Sequence, residues 1–168
     1  MCRFFVLLLA SQLLAACATN PPAAHQTIVV PAGFERAYDS YHYAPVLRVG
    51  DTVIVSGLPA AKGATYEEKV RNMFERLKIF LAAAGAELSD VVEIDTFHAQ
   101  ARDTASFNEE FARFAKIHQE YFPGHYPAWT AVGTTALLAE GAVVEMRVTA
   151  VVGSGRSFEI RRANPPQP

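Results

Sequence analysis

The chain has 168 residues, 51% of them hydrophobic, with 15 basic and 17 acidic side chains and a formal charge of −2. That balance excludes the basic face a nucleic-acid-binding domain needs, and the length allows one modest core. Two cysteines are too few for a disulfide framework.

In chain order, the first feature is an export signal. Arg3 supplies a single positive charge, and an apolar run extends from Phe4 to Ala16, broken by Ser11 and Gln12. The run is too short for a permanent span, which needs ~20 apolar residues. It fits the charged start, apolar middle and small-residue end of a secretory signal. Leu14-Ala15-Ala16-Cys17 resembles a bacterial lipobox, in which a thiol is acylated and becomes the new N-terminus. Residues 1–16 are therefore expected to leave as a lipoprotein signal peptide, with Cys17 lipidated. The alternative is an ordinary secretory signal that ends in a cysteine. Acylation would also remove an unpaired thiol, unusual in an exported protein. Each buried methylene contributes about 0.8 kcal/mol, so the three chains implied by the lipobox resemblance would hold firmly. Ala18, where an aspartate would signal retention at the inner membrane, implies the outer membrane facing the periplasm, by analogy with Gram-negative lipoproteins. The expected location is the bacterial cell envelope. Loss of the signal removes one arginine and no acid, which moves the charge from −2 to −3.

Residues 17–32 mix Pro21, Pro22 and Pro31 with small and polar residues and read as a flexible tether. A folded domain is expected over residues 33–153, followed by a tail over 154–168. Val46–Val49 and Thr52–Ser56 flank Gly50-Asp51, the pattern of a two-residue hairpin, and Gly57-Leu58-Pro59 is expected to stop the second strand. Thr65-Tyr66-Glu67-Glu68 offers a capping box. Behind it, Val70, Met73, Phe74, Leu77, Phe80, Leu81 and Ala84 mark one helix stripe that ends at Gly85. Val91–Ala99 alternates as a strand. A second helix starts near Asp103 or Thr104, with Phe107, Phe111, Phe114 and His118 inward, and ends before Pro123-Gly124. Trp129–Leu137 and Val143–Val152 are the last strands, and Ser157–Arg161 is read as a short additional one.

The order is β-β-α-β-α-β-β: an α+β domain, a mixed sheet with both helices on one face. The other face still carries Val, Ile and Phe, so cover by a second copy of the chain is expected.

The domain resembles the Rid family, the reactive-intermediate deaminases also called YjgF-like proteins. The residues that carry the resemblance are Tyr43-Ala44-Pro45, Val49-Gly50-Asp51-Thr52-Val53, Val55-Ser56-Gly57, Ala84-Gly85-Ala86 and Leu88-Ser89-Asp90-Val91-Val92. They continue with Phe107-Asn108-Glu109, Tyr121-Phe122-Pro123, Pro127-Ala128, Val132-Gly133 and Val144-Glu145-Met146, in family order over residues 41–152. The resemblance implies the chorismate-mutase-like Rid fold and a homotrimer with a central barrel, helices outside and small-molecule clefts between subunits. In its best-studied branch an arginine after the Pro-Ala pair grips the carboxylate of a 2-imino acid, and a glutamate on the last strand orients water. The resemblance thus implies Glu145 as the catalytic acid, Tyr43 lining the cleft, Ser56 and Gly57 on its floor, and Asn108 nearby.

Two departures bear on chemistry. Trp129 stands where the arginine is expected, and Ala131 where the archetype has a cysteine. An arginine fork makes two charge-assisted hydrogen bonds to a carboxylate, whereas an indole offers one N–H donor. Loss of ~3 kcal/mol is about a hundredfold in binding, so deamination of 2-imino acids by the usual route is not expected. Trp129 is read either as a stacking platform for a ligand or as a plug. Arg147, two residues beyond Glu145, leaves the same sheet face roughly 7 Å away; it is either a replacement anion grip or half of a charge pair. Glu145 itself, among Val143, Val144, Met146 and Val148, either faces solvent or is buried with a raised pKa.

His42, His98, His118 and His125 lack metal-ligand spacing, and no phosphate loop or nucleophile elbow is present; neither metal nor cofactor is expected. Two functions follow: binding of a small metabolite between subunits without turnover, or an imine or enamine hydrolase that uses Glu145 on a neutral or aromatic substrate.

Overall fold

A computed structural model describes residues 25–163. The signal peptide, Cys17 and the first part of the tether, together with residues 164–168, lie outside the described residues.

Six strands form one sheet: β1 (Gln26–Val29), β2 (Val46–Val49), β3 (Thr52–Pro59), β4 (Val91–His98), β5 (Ala128–Gly133) and β6 (Val144–Val151), in the order β1-β2-β3-β6-β4-β5. The helices are α1 (Glu35–Asp39), α2 (Tyr66–Ala83) and α3 (Thr104–Tyr121). Only β4 and β5 pair in parallel, joined by α3 as crossover. From β2 onward the order is the one read from the pattern, with the added short helix α1 before it.

Local chemistry explains the main elements. The β2–β3 turn uses Gly50 at φ 59°, a left-handed value that glycine reaches without steric cost. The Thr65 hydroxyl accepts from Glu68 N at 3.2 Å, and the Glu68 carboxylate accepts from Thr65 N and Ala64 N, which closes the capping box of α2. Asp103 caps α3 by accepting from Ser106 N at 2.8 Å. Val53, Val55, Leu58, Ile94, Met146, Val148 and Ala150 are buried against Phe74, Leu77, Leu81, Phe114 and Ile117 of α2 and α3. The residues between them on each strand point away from the helices, and that open face leaves Ile28, Phe97 and Val132 exposed.

Four expectations need correction. The tether was expected to reach residue 32, yet Gln26–Val29 is a strand paired with β2. Three of its four residues are exposed, so this edge strand lacks the half-buried alternation that would announce it. Strand β3 runs on through Gly57-Leu58-Pro59, because a bulge at Ser56-Gly57 absorbs the glycine: both residues lie opposite Arg147, between the pairs Val55–Val148 and Leu58–Met146. Pro59 is tolerated because β2 pairs with β3 only as far as Val55. Strand β5 ends at Gly133, four residues short of Leu137. Ser157–Arg161 forms no strand; Phe158 and Ile160 alternate but remain exposed. The start of the tail is ordered instead as a 3₁₀ turn over Ser154–Arg156, where the Asp90 carboxylate accepts from Gly155 N at 3.1 Å.

Candidate functional site

The bulge in β3 creates the site. On β6, Glu145 pairs with Pro59 on one side and Phe97 on the other, and its side chain leaves the open face. It lies directly over Gly57: a Cβ on that residue would stand 2.8 Å from Glu145 Cδ. A β-carbon there would displace the Glu145 side chain, so glycine is what lets the carboxyl rest against the bulge. The Ser56 hydroxyl donates to Ala44 O at 2.6 Å, and Ser56 N donates to Pro45 O at 3.0 Å. These bonds pin the Tyr43-Ala44-Pro45 loop beside the bulge, while Tyr43 N is held by Ala37 O of α1. The result is a cleft of about 570 Å³, lined by Tyr41, Tyr43, Ser56, Gly57, Leu138 and Glu145 among others. Burial raises the Glu145 carboxyl above the ordinary glutamate range, since a partly dehydrated carboxylate is disfavoured.

Glu145, Tyr43, Ser56 and Gly57 are thus gathered in one place. Arg147 shares the open face but lies outside the cleft lining; its Nη1 donates to Asp95 Oδ2 at 3.3 Å. Asn108 is exposed near the start of α3 and also lies outside that lining.

Trp129 is not in the Glu145 cleft. It pairs with Ile94, a helix-facing position, whereas Glu145 pairs with Phe97, which faces the other way. The indole packs beneath α3, stacked on His118 at 4.5 Å between ring centres and 4.8 Å from Phe111. Its Nε1 donates to Thr96 Oγ1 at 3.0 Å. Thr96 also meets His98 Nε2 at 3.0 Å, and His98 Nδ1 meets Glu110 Oε1 at 3.3 Å. The Thr96 hydroxyl accepts from the indole and lies within reach of both His98 Nε2 and Thr130 O, so these side chains form one connected network. Within one chain the indole and the Glu145 carboxyl therefore lie on opposite faces of the sheet. Ala131, two residues along the same strand, faces the same side.

Sequence patterning carries no signal for Tyr41 and Leu138 in the cleft or for the buried Thr96–His98–Glu110 chain. Neither Tyr41 nor Leu138 belongs to a periodic element, and only the fold brings them to residue 57.

Residues 35–152 match the sequence profile of the Ribonuc_L-PSP family, described as endoribonuclease L-PSP. The chain belongs to that family. It is the YjgF-like, Rid group whose residues the sequence resembles. Among relatives, the RutC family protein YjgH of Escherichia coli is 31% identical over 118 residues, covering 67% of this chain and 86% of that protein. The 2-iminobutanoate/2-iminopropanoate deaminase of Dermatophagoides farinae is 28% identical over 117 residues, covering 66% of this chain and 85% of that protein. The crystal structure of Rv2704 from Mycobacterium tuberculosis, a member of the YjgF/YER057c/UK114 family, superposes with a TM-score of 0.65 at 27% identity, covering 76% of this chain and 100% of its own. The α+β sheet with its helices on one face is the fold of this family.

Proposed function

We propose that this family member binds a small metabolite at the Glu145 cleft, and that the cleft is completed between copies in a homotrimer. The observation that carries this reading is a half-buried carboxyl standing over bare Gly57 backbone, beside Tyr43, in a 570 Å³ cleft. The apolar open face and the fully exposed Leu138 on the cleft rim support cover by a neighbouring copy. Trp129, at the position where the family resemblance implies an arginine, argues against the usual deamination of 2-imino acids and for a divergent branch.

A second reading is favoured by the raised Glu145 carboxyl and by the relative named as a deaminase. In it, Glu145 takes a proton from water as the water oxygen bonds to an imine carbon, the C=N π pair moves to nitrogen, and nitrogen takes that proton from Glu145. In the carbinolamine the hydroxyl then passes its proton through Glu145 to nitrogen, the C–N bond breaks, and ammonia leaves a carbonyl compound. A group tuned toward the working pH suits such proton transfer. Ammonia release from imines generated in situ separates the two readings. Turnover in the wild type that is lost in Glu145→Ala supports the hydrolase; a silent wild type that binds the same compounds, with binding lost in Glu145→Ala, supports the binding protein. Light scattering should return the mass of three copies, and a monomer would remove the shared cleft.

The same proposal places the protein on the outer membrane, facing the periplasm, held by lipid on Cys17. Labelled palmitate should be incorporated by the wild type and not by Cys17→Ser; equal labelling of both would overturn the anchor.

A further inference from the structure

Behind the bulge lies a second, smaller cavity of about 120 Å³, lined by Arg76 of α2 together with Tyr43, Ser56, Gly57, Pro59 and Phe80 among others. Tyr43, Ser56, Gly57 and Pro59 also line the main cleft. The two spaces therefore adjoin at these residues, with the Glu145 carboxyl lining one and the Arg76 guanidinium lining the other.

Arg76 is unlike the other helix arginines. Arg71 and Arg113 bridge α2 and α3, each paired with a glutamate at 2.6 and 2.9 Å respectively. Arg76 has no carboxylate partner among the described residues. Its Nη2 donates to Pro59 O, and its Nε is buried with no acceptor among the described residues. Burial also works against its charge. A partly dehydrated cation with an unused, inaccessible N–H is costly unless something pairs with it. The cavity exceeds several-fold the ~10–15 Å³ that one ordered water needs, which leaves room for a planar, two-oxygen head group.

We propose that this cavity is an anion subsite in which Arg76 receives the carboxylate of a small ligand whose other end lies at Glu145. The assignment rests on the reading of the Glu145 cleft as a ligand site and deepens it. The ligand class becomes a small acid carrying a polar or imine-type group a few atoms from its carboxylate.

The test uses the full chain, nitrogen-labelled, with the Arg76 Nε–H resonance assigned by its disappearance in Arg76→Lys. Pyruvate is the anionic probe, methyl pyruvate its neutral counterpart, and inorganic phosphate the control for general anion binding. The expected result is a saturable shift of the Arg76 Nε–H and of Gly57 N–H with pyruvate. Pyruvate affinity should fall roughly tenfold to a hundredfold in Arg76→Gln, the range for a charged hydrogen bond, with methyl pyruvate unaffected. Pyruvate that saturates Gly57 while leaving the Arg76 Nε–H unmoved would overturn the subsite and keep the cleft. That readout needs only wild-type protein, so it holds even where Arg76→Gln fails to fold. A phosphate response equal to that of pyruvate would overturn the carboxylate assignment. If neither pyruvate nor methyl pyruvate perturbs Gly57 or Glu145, the cleft reading falls together with the subsite.

Discussion

Two polar clusters on opposite faces of the sheet, one around Trp129 and one at Glu145, differ in how their groups are paired. On the helix side, Trp129, Thr96, His98 and one oxygen of Glu110 form a hydrogen-bonded chain beneath α3, walled by Phe107, Phe111 and Phe114. On the open side, Glu145 accepts no hydrogen bond among the described residues and is partly stripped of water above Gly57. The bonds of the first set hold helix to sheet, with Glu110 Oε2 the one oxygen of the set that is buried without a partner among the described residues. The carboxyl in the second set has spare capacity, and spare capacity is what a ligand uses. Alternation along β5 and β6 decides which residue belongs to which set.

The largest way to break this comparison is Trp129→Ala. Removal of the indole empties space against His118 and Phe111 and strips Thr96 of its donor. The expected loss is about 3 kcal/mol of unfolding free energy, at the low end for large aromatics because the residue is only partly buried. Urea unfolding reads it. The comparison fails if stability stays within about 0.5 kcal/mol, the spread of ordinary surface changes, while ligand binding collapses; Trp129 would then belong with Glu145 after all.

Much of this arrangement was legible before the fold was known, and the parts that were not share a cause. The α2 stripe from Val70 to Leu81 and the Thr65–Glu68 capping box were readable because helix periodicity and caps are local. Glu145, Tyr43, Ser56 and Gly57 were identified only through family resemblance, and the fold gathers them in one cleft. The side on which Trp129 lies was not legible, because it depends on the register Ile94–Trp129 between strands joined by a long crossover. The continuation of β3 through Pro59 was hidden by a bulge, since Gly57 reads as a breaker when its contact with Glu145 is unseen. Arg76 reads as an ordinary polar residue off the apolar stripe, and only the position of the 56–59 segment buries it.

An intermediate effect sharpens the comparison through pH. Burial among Phe74, Phe122 and Trp129 pushes His118 down to about 4. The unfolded chain takes up a proton near pH 6.5, whereas the folded ring resists it until about pH 4. Stability from this group is therefore full above the unfolded value and is lost as pH falls toward the folded one. Local relaxation around a protonated ring lessens the full linkage value, so the loss is on the order of 1–2 kcal/mol. Chemical unfolding between pH 7 and 4 should show it, and His118→Phe should flatten the slope. An unchanged slope in the variant would mean that the helix layer admits water.

Glu145→Gln should have the smallest effect on stability, and its sign runs the other way. The folded-state pKa of Glu145 is raised, so at pH 7 the ionised carboxylate carries a dehydration cost that the unfolded chain does not. An amide of nearly the same shape removes that cost. The variant should match or exceed the wild type at pH 7 by less than about 1 kcal/mol, since a half-exposed group is well screened. The difference should shrink to zero as pH falls through the folded pKa toward the ordinary 4.5, because the wild type then carries the proton itself. Ligand binding at the cleft should nevertheless fall, since the amide cannot take the proton or offer the charge. A variant that is clearly less stable at neutral pH would show that Glu145 supports the fold, as Trp129 does, and would erase the distinction between the two faces.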